Sequence, residues 1–107
     1  MERPYDYELI TELNISCKRL IELPSWVSEC KNLEKINCDY NKITHIDNLP
    51  PNLKVLYCSN NYITHLDNLP QTLKKLICSN NPLKYDFEPT LENIRNYINQ
   101  NNQNNQK

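Results

Sequence analysis

The chain has 107 residues, and its 12 Lys and Arg against 13 Asp and Glu give a formal net charge of −1. This length supports one domain or an array of small repeats. The near-zero charge argues against a general nucleic-acid or membrane-surface binder, which would carry a basic excess. Glycine is absent, which excludes glycine-rich phosphate-binding loops and the G-x-S-x-G nucleophile elbow.

Residues 1–9 precede the first repeated segment and are predicted to form an N-terminal cap, because the open end of a repeat array needs a cover. Tyr5, Tyr7 and Leu9 are the side chains expected to shield the first unit. The N-terminus lacks a signal-peptide layout, and no apolar run approaches the ~20 residues that span a bilayer. Because the chain also has an odd number of cysteines, we expect a cytoplasmic protein with free thiols.

A pattern of period 20 runs through the middle of the chain. Three segments, which begin at Leu33, Leu53 and Leu73, share the frame L-x-x-[IL]-x-C-x-x-N-x-[IL]. A degenerate copy begins 23 residues before the first of them, at Ile10, and has Lys18 in place of the frame's Asn. The predicted units are residues 10–32, 33–52, 53–72 and 73–92.

Each unit is expected to form a short strand, because its apolar frame positions alternate with variable ones. One unit cannot bury its apolar side alone, so successive units must stack and pair their strands in parallel. The chain then returns along an outer arc, which is too short for much helix in the 20-residue units. In the first unit, Pro24 stands where a short helix could begin.

This frame resembles the leucine-rich repeat, with Cys in the sixth position and Asn in the ninth. Short units and an Asn-, Ile-, Lys- and Tyr-rich composition make the chain similar to leucine-rich repeat proteins of giant viruses of the mimivirus kind. The similarity to bacterial effector-type leucine-rich repeats is less close. The resemblance implies an α/β repeat solenoid, a short curved horseshoe of about four units with a parallel concave sheet and irregular or 3₁₀ convex arcs. It also implies that the frame asparagines bond to neighbouring loop backbone, and these are Asn41, Asn61 and Asn81.

The C-terminal region is predicted to contain a capping helix over residues 89–98. Pro89 can begin a helix, and Leu91, Ile94 and Ile98 would share one face of it. Residues 99–107 are almost entirely Asn and Gln, so we expect them to be a disordered tail.

Cys38, Cys58 and Cys78 occupy one inward position of the frame and are predicted to be structural thiols that pack as small apolar groups. A zinc site needs ligands that converge tetrahedrally, whereas stacked thiols lie in a line. His45 and His65 each lie near an Asp in the sequence, and two imidazoles with carboxylates could bind a transition metal. The alternative is that these residues form a polar surface that recurs only because the unit was duplicated. No catalytic arrangement is recognisable, so we expect no enzymatic activity, no cofactor and no metal.

The concave face is the predicted functional surface, because its variable positions face solvent while the apolar frame faces inward. Exposed Tyr and apolar groups rimmed by charge are typical of an interface, which indicates a non-catalytic module that binds an unidentified protein. The predicted binding residues are Lys35, Asn37, Tyr40, Lys54, Val55, Tyr57, Lys75 and Ile77.

Three alternatives concern the partner. If the viral resemblance holds, the partner is a host or viral protein in the cytoplasm of an infected cell. The chain could instead associate with itself through an open repeat end or an exposed strand edge. A nucleic acid could bind the Lys-rich C-terminal part of the concave face, although the net charge opposes this. The residues of that third alternative are Lys54, Lys74, Lys75, Lys84 and Tyr57.

Overall fold

The computed structural model describes residues 1–105, and the side chains of the final helix as far as residue 101. Four strands of three residues follow one another along the chain, and a 3₁₀ helix, Ser25–Glu29, lies between the first two. One α-helix ends the described part of the chain. The elements are β1 (Glu12–Asn14), β2 (Lys35–Asn37), β3 (Val55–Tyr57), β4 (Lys75–Ile77) and α1 (Leu91–Asn105).

The four strands form a single parallel sheet in the order β1-β2-β3-β4. Equivalent frame residues lie opposite one another, so the register runs through Leu13, Ile36, Leu56 and Leu76. Each strand therefore pairs only with the strands of adjacent units, as in a stack of repeats. The predicted parallel sheet of four units is confirmed.

The core lies behind the sheet and consists of the apolar frame positions of all four units. Leu33, Leu53 and Leu73 are buried there, together with Ile36 and Leu56 from the strands. The same positions are less covered in the end units, where Leu13 and Leu76 are only partly buried. Each interior unit is thus sealed by its neighbours, and the two end units depend on caps.

The outer arcs follow the expectation from the sequence. In the first unit the 3₁₀ helix begins directly after Pro24 and buries Trp26 and Val27 against the core. The Trp26 indole N–H donates to the Met1 carbonyl oxygen at 3.2 Å, which fastens the N-terminus to this arc. In the second and third units the arcs contain no regular element.

The side chain of the frame asparagine links adjacent units. Asn61 is buried, and its Oδ1 accepts a hydrogen bond from the Ile43 N–H of the preceding unit at 3.1 Å. Its Nδ2 lies within 3.1–3.2 Å of three carbonyl oxygens, those of Cys38, Cys58 and Ser59. Asn41 and Asn81 make the equivalent contacts in their own units.

The turn after each strand uses left-handed backbone although the chain has no glycine. The residue just before each frame Asn has a φ of 57–59° in the three regular units, and Cys17 has a φ of 56° at the equivalent place in the first. These residues are Tyr40, Asn60 and Asn80. Asn tolerates this region well, whereas a bulky residue such as Tyr is an outlier there.

The N-terminal segment covers the first unit less than predicted. Tyr7 packs against the core, and the Arg3 guanidinium lies 4.0 Å from the centre of its ring. Tyr5 and Leu9 are 99% and 76% exposed, so their predicted shielding role is wrong. Residues 5–9 form tight turns, in which the N–H groups of Tyr7 and Leu9 donate to the carbonyl oxygens of Pro4 and Asp6, and these turns leave the side chains of Tyr5 and Leu9 in solvent.

The C-terminal helix differs from the prediction at both ends. It begins at Leu91, because the Thr90 hydroxyl accepts a hydrogen bond from the Asn93 N–H at 3.1 Å and so caps the helix. It continues to Asn105, so most of the tail predicted to be disordered is helical, and residues 106–107 lie outside the described residues. Once packing of the buried Ile94 has nucleated the helix, adding each further residue costs little.

Arginine contacts fix the helix to the last unit. The Arg95 guanidinium donates from Nη2 to the carbonyl oxygens of Pro70 and Leu73 at 3.1 and 2.6 Å. Within residues 1–105, no helix combines the length and the apolar character that crossing a bilayer requires.

We predict that Asn61→Ala lowers the free energy of unfolding by about 2–3 kcal/mol, because it leaves buried backbone groups without partners. Chemical denaturation measures this difference. Asn68→Ala is the matched control, since Asn68 is exposed and its side chain makes one hydrogen bond, to Asp47. Equal losses in the two variants would contradict the role of the asparagine ladder.

We predict that Tyr40→Asn stabilises the protein by about 1 kcal/mol, because it relieves a left-handed Tyr at a position where the third and fourth units have Asn60 and Asn80. The corresponding rise in Tm is about 4–8 °C for a domain of this size. Tyr62→Asn is the control, since Tyr62 is also largely exposed but does not have a positive φ. A Tm for Tyr40→Asn at or below that of the wild type would show that the turn stores no strain.

Candidate functional site

The side of the sheet that faces away from the core presents two rows of side chains. The first row contains Glu12, Lys35, Val55 and Lys75, which are aligned by the strand register. The second row contains Asn14, Asn37, Tyr57 and Ile77. We call these eight residues the outer sheet face. All eight are partly or largely accessible, whereas the residues between them on the same strands point to the core.

Tyr57 lies at the centre of the outer sheet face, on β3. The Lys35 Nζ lies 5.2 Å from the centre of its ring and the Lys75 Nζ lies 5.5 Å from it, one from each neighbouring strand. These distances allow cation–π attraction. Ile77 is 41% exposed and follows Tyr57 in the same row. The sheet thus brings an aromatic ring, two ammonium groups and an apolar side chain together.

Acidic and basic groups are unevenly distributed on this side of the molecule. Lys54 pairs with Glu34 through an Nζ–Oε1 distance of 2.9 Å, and both side chains are about half exposed. Lys74 and Lys75 are exposed in the last unit, while Glu12 lies on the first strand. The charged side chains on this side therefore change from acidic at β1 to basic at β4.

Not every predicted binding residue belongs to the outer sheet face. Lys54 lies just before β3, beside the outer sheet face, and its ammonium group forms an ion pair with Glu34. Tyr40 is 62% exposed but lies in the turn after β2. Asn37 lies on β2, where its Oδ1 accepts a hydrogen bond from the Asp39 N–H at 3.0 Å. Its side chain therefore also has a structural role.

Sequence reasoning missed a second ladder of side-chain contacts beside the asparagines. The Asp39 Oδ1 accepts a hydrogen bond from the Ser59 N–H at 2.7 Å, and the Ser59 Oγ accepts one from the Ser79 N–H at 3.2 Å. Ser59 is buried, although the sequence predicted that it faces outward. The repetition of Ser at positions 59 and 79 was the available signal, because a hydroxyl can bond to backbone that the turn leaves unpaired.

The cysteine ladder lies behind the sheet, and all five thiols are free. Burial raises the pKa of the Cys38 thiol to about 12, and it also raises the pKa values of Cys58 and Cys78. The Cys38 Sγ donates to the Tyr57 carbonyl oxygen at 3.3 Å, and the Cys78 Sγ donates to the Pro89 carbonyl oxygen at 3.6 Å. Cys17, by contrast, is exposed. Buried thiols with raised pKa values are weak nucleophiles and weak metal ligands.

An aromatic cluster between the last arc and α1 was also missed. Tyr85 stacks on Phe87 at 4.9 Å between ring centres and contacts Tyr97 and His65 edge-on. The Tyr85 hydroxyl accepts a hydrogen bond from the Leu66 N–H at 2.8 Å, and burial raises its pKa. The cluster borders a cleft of about 490 Å³. The alternation of aromatic residues at 85 and 87 with polar ones was the signal for it.

No metal centre is formed by the described residues, since no three His, Cys, Asp or Glu side chains among them come together. His45 contacts Asp47 through Nε2 and Oδ2 at 3.5 Å, and both are accessible. His65 instead lies against Tyr85, with 5.7 Å between ring centres. The two imidazoles therefore contact different partners, His45 an aspartate and His65 an aromatic ring.

We predict that the protein loses stability at alkaline pH through its buried thiols. The folded pKa of Cys38 is raised, so its contribution is fully present below the unfolded value near 9 and is lost as pH rises towards about 12. In this window a single thiol lowers the free energy of unfolding by up to about 1.4 kcal/mol per pH unit.

The measurement is chemical denaturation at several pH values between 8 and 11. Cys38→Ala should show a shallower fall with pH than the wild type, whatever its stability at neutral pH. Cys17→Ala, which removes an exposed thiol, should keep the wild-type slope. Parallel curves for all three proteins would show that Cys38 ionises equally in the folded and unfolded states.

Comparison with known proteins identifies a repeat in the centre of the chain. The FNIP repeat matches residues 40–81, which extend from the turn after β2 to the frame asparagine of the last unit. No curated protein and no solved structure matches the chain significantly. The match thus covers the later part of the second unit, the whole third unit and the strand region of the fourth, and it extends over less than half of the chain.

Proposed function

We propose that this protein is a non-catalytic interaction module that binds a partner protein through the outer sheet face. The observation that carries the proposal is the alignment of Tyr57, Ile77 and two lysines on adjacent strands of a rigid sheet. Tyr is enriched in interface cores, and apolar groups near it add contact area. The similarity of residues 40–81 to a repeat family supports the proposal, because stacked repeats commonly serve as binding surfaces.

In this proposal the chain is a short leucine-rich-repeat-like horseshoe, and the outer sheet face is its concave side. A stack of units with longer arcs than strands curves in that direction. Side chains on a concave sheet converge on a ligand from several units. The proposed function depends neither on a viral source of the chain nor on a particular compartment.

The size of the face indicates what kind of partner it suits. Four strands ~4.8 Å apart, with three residues of ~3.3 Å each, give a flat area of roughly 200 Å². Side-chain relief increases this, but it stays well below the ~800 Å² per partner of a standard interface. The outer sheet face therefore suits a short segment of a partner better than a broad folded surface.

Selection from a displayed library of random peptides tests the proposal. We expect peptides selected on the wild type to lose binding to the double variant Tyr57→Ser/Ile77→Ser. They should bind Tyr62→Ser normally, because Tyr62 is 58% exposed but lies outside the outer sheet face. Circular dichroism and thermal melting establish that the variants are folded.

Two results would overturn the proposed function. One is that selected peptides bind the double variant as well as the wild type, which would move the binding surface elsewhere. The other is that selection yields no specific peptide at all. Light scattering over a range of concentrations separates the alternative of self-association from both.

A further inference from the structure

Two lysines on the outer sheet face have ammonium groups without a carboxylate partner. None of the ion pairs within residues 1–105 includes Lys35 or Lys75. Both ammonium groups lie near the Tyr57 ring instead, at 5.2 and 5.5 Å from its centre. Lys54 differs from them, since Glu34 already neutralises it. The face therefore offers two cationic groups to an incoming anion.

The strand register fixes the spacing between the backbone positions of these two lysines. Lys35 and Lys75 are both register partners of Val55, on β2 and β4 respectively. Their backbone positions are thus two strand spacings apart, ~9.6 Å in a parallel sheet. A ligand that reaches both must cross β3 at Val55 rather than run along the strand, and it passes beside the Tyr57 ring, because both ammonium groups lie near the centre of that ring.

Resting on the proposed function, we infer that the partner binds through an acidic, extended segment that crosses β2, β3 and β4. Its two carboxylates are ~10 Å apart, so that one pairs with Lys35 and the other with Lys75. The residues between the carboxylates cover Tyr57. A polyproline II segment has this geometry, because residues three apart lie on one side of it at a spacing of ~9.3 Å.

Charge favours an acidic protein segment over a nucleic acid. Glu12 lies opposite Lys35 in the register, and Glu34 lies beside the face as the partner of Lys54. A nucleic-acid strand carries a phosphate at every nucleotide, so it would meet these carboxylates as well as the lysines. A segment with only two carboxylates meets the two lysines alone.

Nuclear magnetic resonance titration with a defined peptide tests this inference. The probe is an acetylated and amidated hexapeptide, Pro-Glu-Pro-Leu-Glu-Pro, which has two carboxylates three residues apart. The reference probe replaces both Glu with Gln. The proteins are the full-length wild type, Lys35→Gln/Lys75→Gln, Lys35→Arg/Lys75→Arg and Lys84→Gln, the last as a matched loss of an exposed charge outside the face.

We expect the Glu peptide to shift the Tyr57 resonances and to bind at least about 10-fold more tightly than the Gln peptide. The Lys35→Gln/Lys75→Gln variant should lose about 10-fold in affinity, as expected for two exposed charge pairs. The Arg variant and Lys84→Gln should bind within about 2-fold of the wild type. Raising the salt concentration should weaken binding of the Glu peptide to the wild type, the Arg variant and Lys84→Gln, but should have little effect on the Lys35→Gln/Lys75→Gln variant.

Three outcomes would overturn the inference. The Glu and Gln peptides could bind equally, or the Lys35→Gln/Lys75→Gln variant could retain wild-type affinity. An oligothymidine could also displace the Glu peptide at physiological salt, which would make nucleic acid the better ligand. If the library peptides lose binding to Tyr57→Ser/Ile77→Ser yet show no acidic preference, the inference fails and the proposed function stands.

Discussion

The buried asparagine that follows each strand is the interaction on which the rest of this structure depends. Where the chain leaves a strand, some of its N–H groups still bond to the next unit, but carbonyl oxygens such as those of Cys38 and Cys58 are bonded by the asparagine side chains. A single Asn61 amide bonds to backbone of its own unit and of the preceding one. It therefore closes the turn and sets the distance between units at once. The alignment of every outward side chain follows from that distance.

The repeat frame could be predicted from the sequence, because a period of 20 residues assigns equivalent positions to equivalent places. The frame is also formed in the irregular first unit, where Lys18 stands in place of the Asn. The reason is that the Asn41 Oδ1 reaches back and accepts hydrogen bonds from the Lys18 and Leu20 N–H groups at 3.0 Å. The first unit needs no asparagine of its own at this place, because Asn41 of the second unit bonds to its backbone.

The ends of the array could not be predicted in the same way, because no periodicity applies to them. Tyr5 and Leu9 are apolar enough to suggest a cover, but local turns decide where they point. Likewise, the Asn- and Gln-rich composition after Ile98 suggests disorder, whereas a packed helix continues through it to Asn105. Local turns in the first region, and in the second the propagation of a helix anchored by the buried Ile94, outweigh what composition suggests.

The candidate site likewise has features that the repeat pattern predicts and features that it does not. Alternation along a strand placed Lys35, Val55 and Tyr57 on the outward side without any structure. The turn that takes Tyr40 out of the strand is harder to predict from the sequence. Tyr40 has left-handed backbone there, which Tyr residues usually avoid. The approach of two lysines to one ring depends on the stacking of three units, which only the assembled sheet reveals.

Because each unit contacts only its neighbours, the number of units between two charged side chains sets the distance between their backbone positions. Removal of the third unit would place Lys35 and Lys75 on adjacent strands, ~4.8 Å apart, and insertion of a unit between them would separate them by three strand spacings. The remaining units would keep the same types of core contacts and asparagine hydrogen bonds. Duplication of a unit can therefore change which ligand length fits such a surface without any change in the residues that hold the units together.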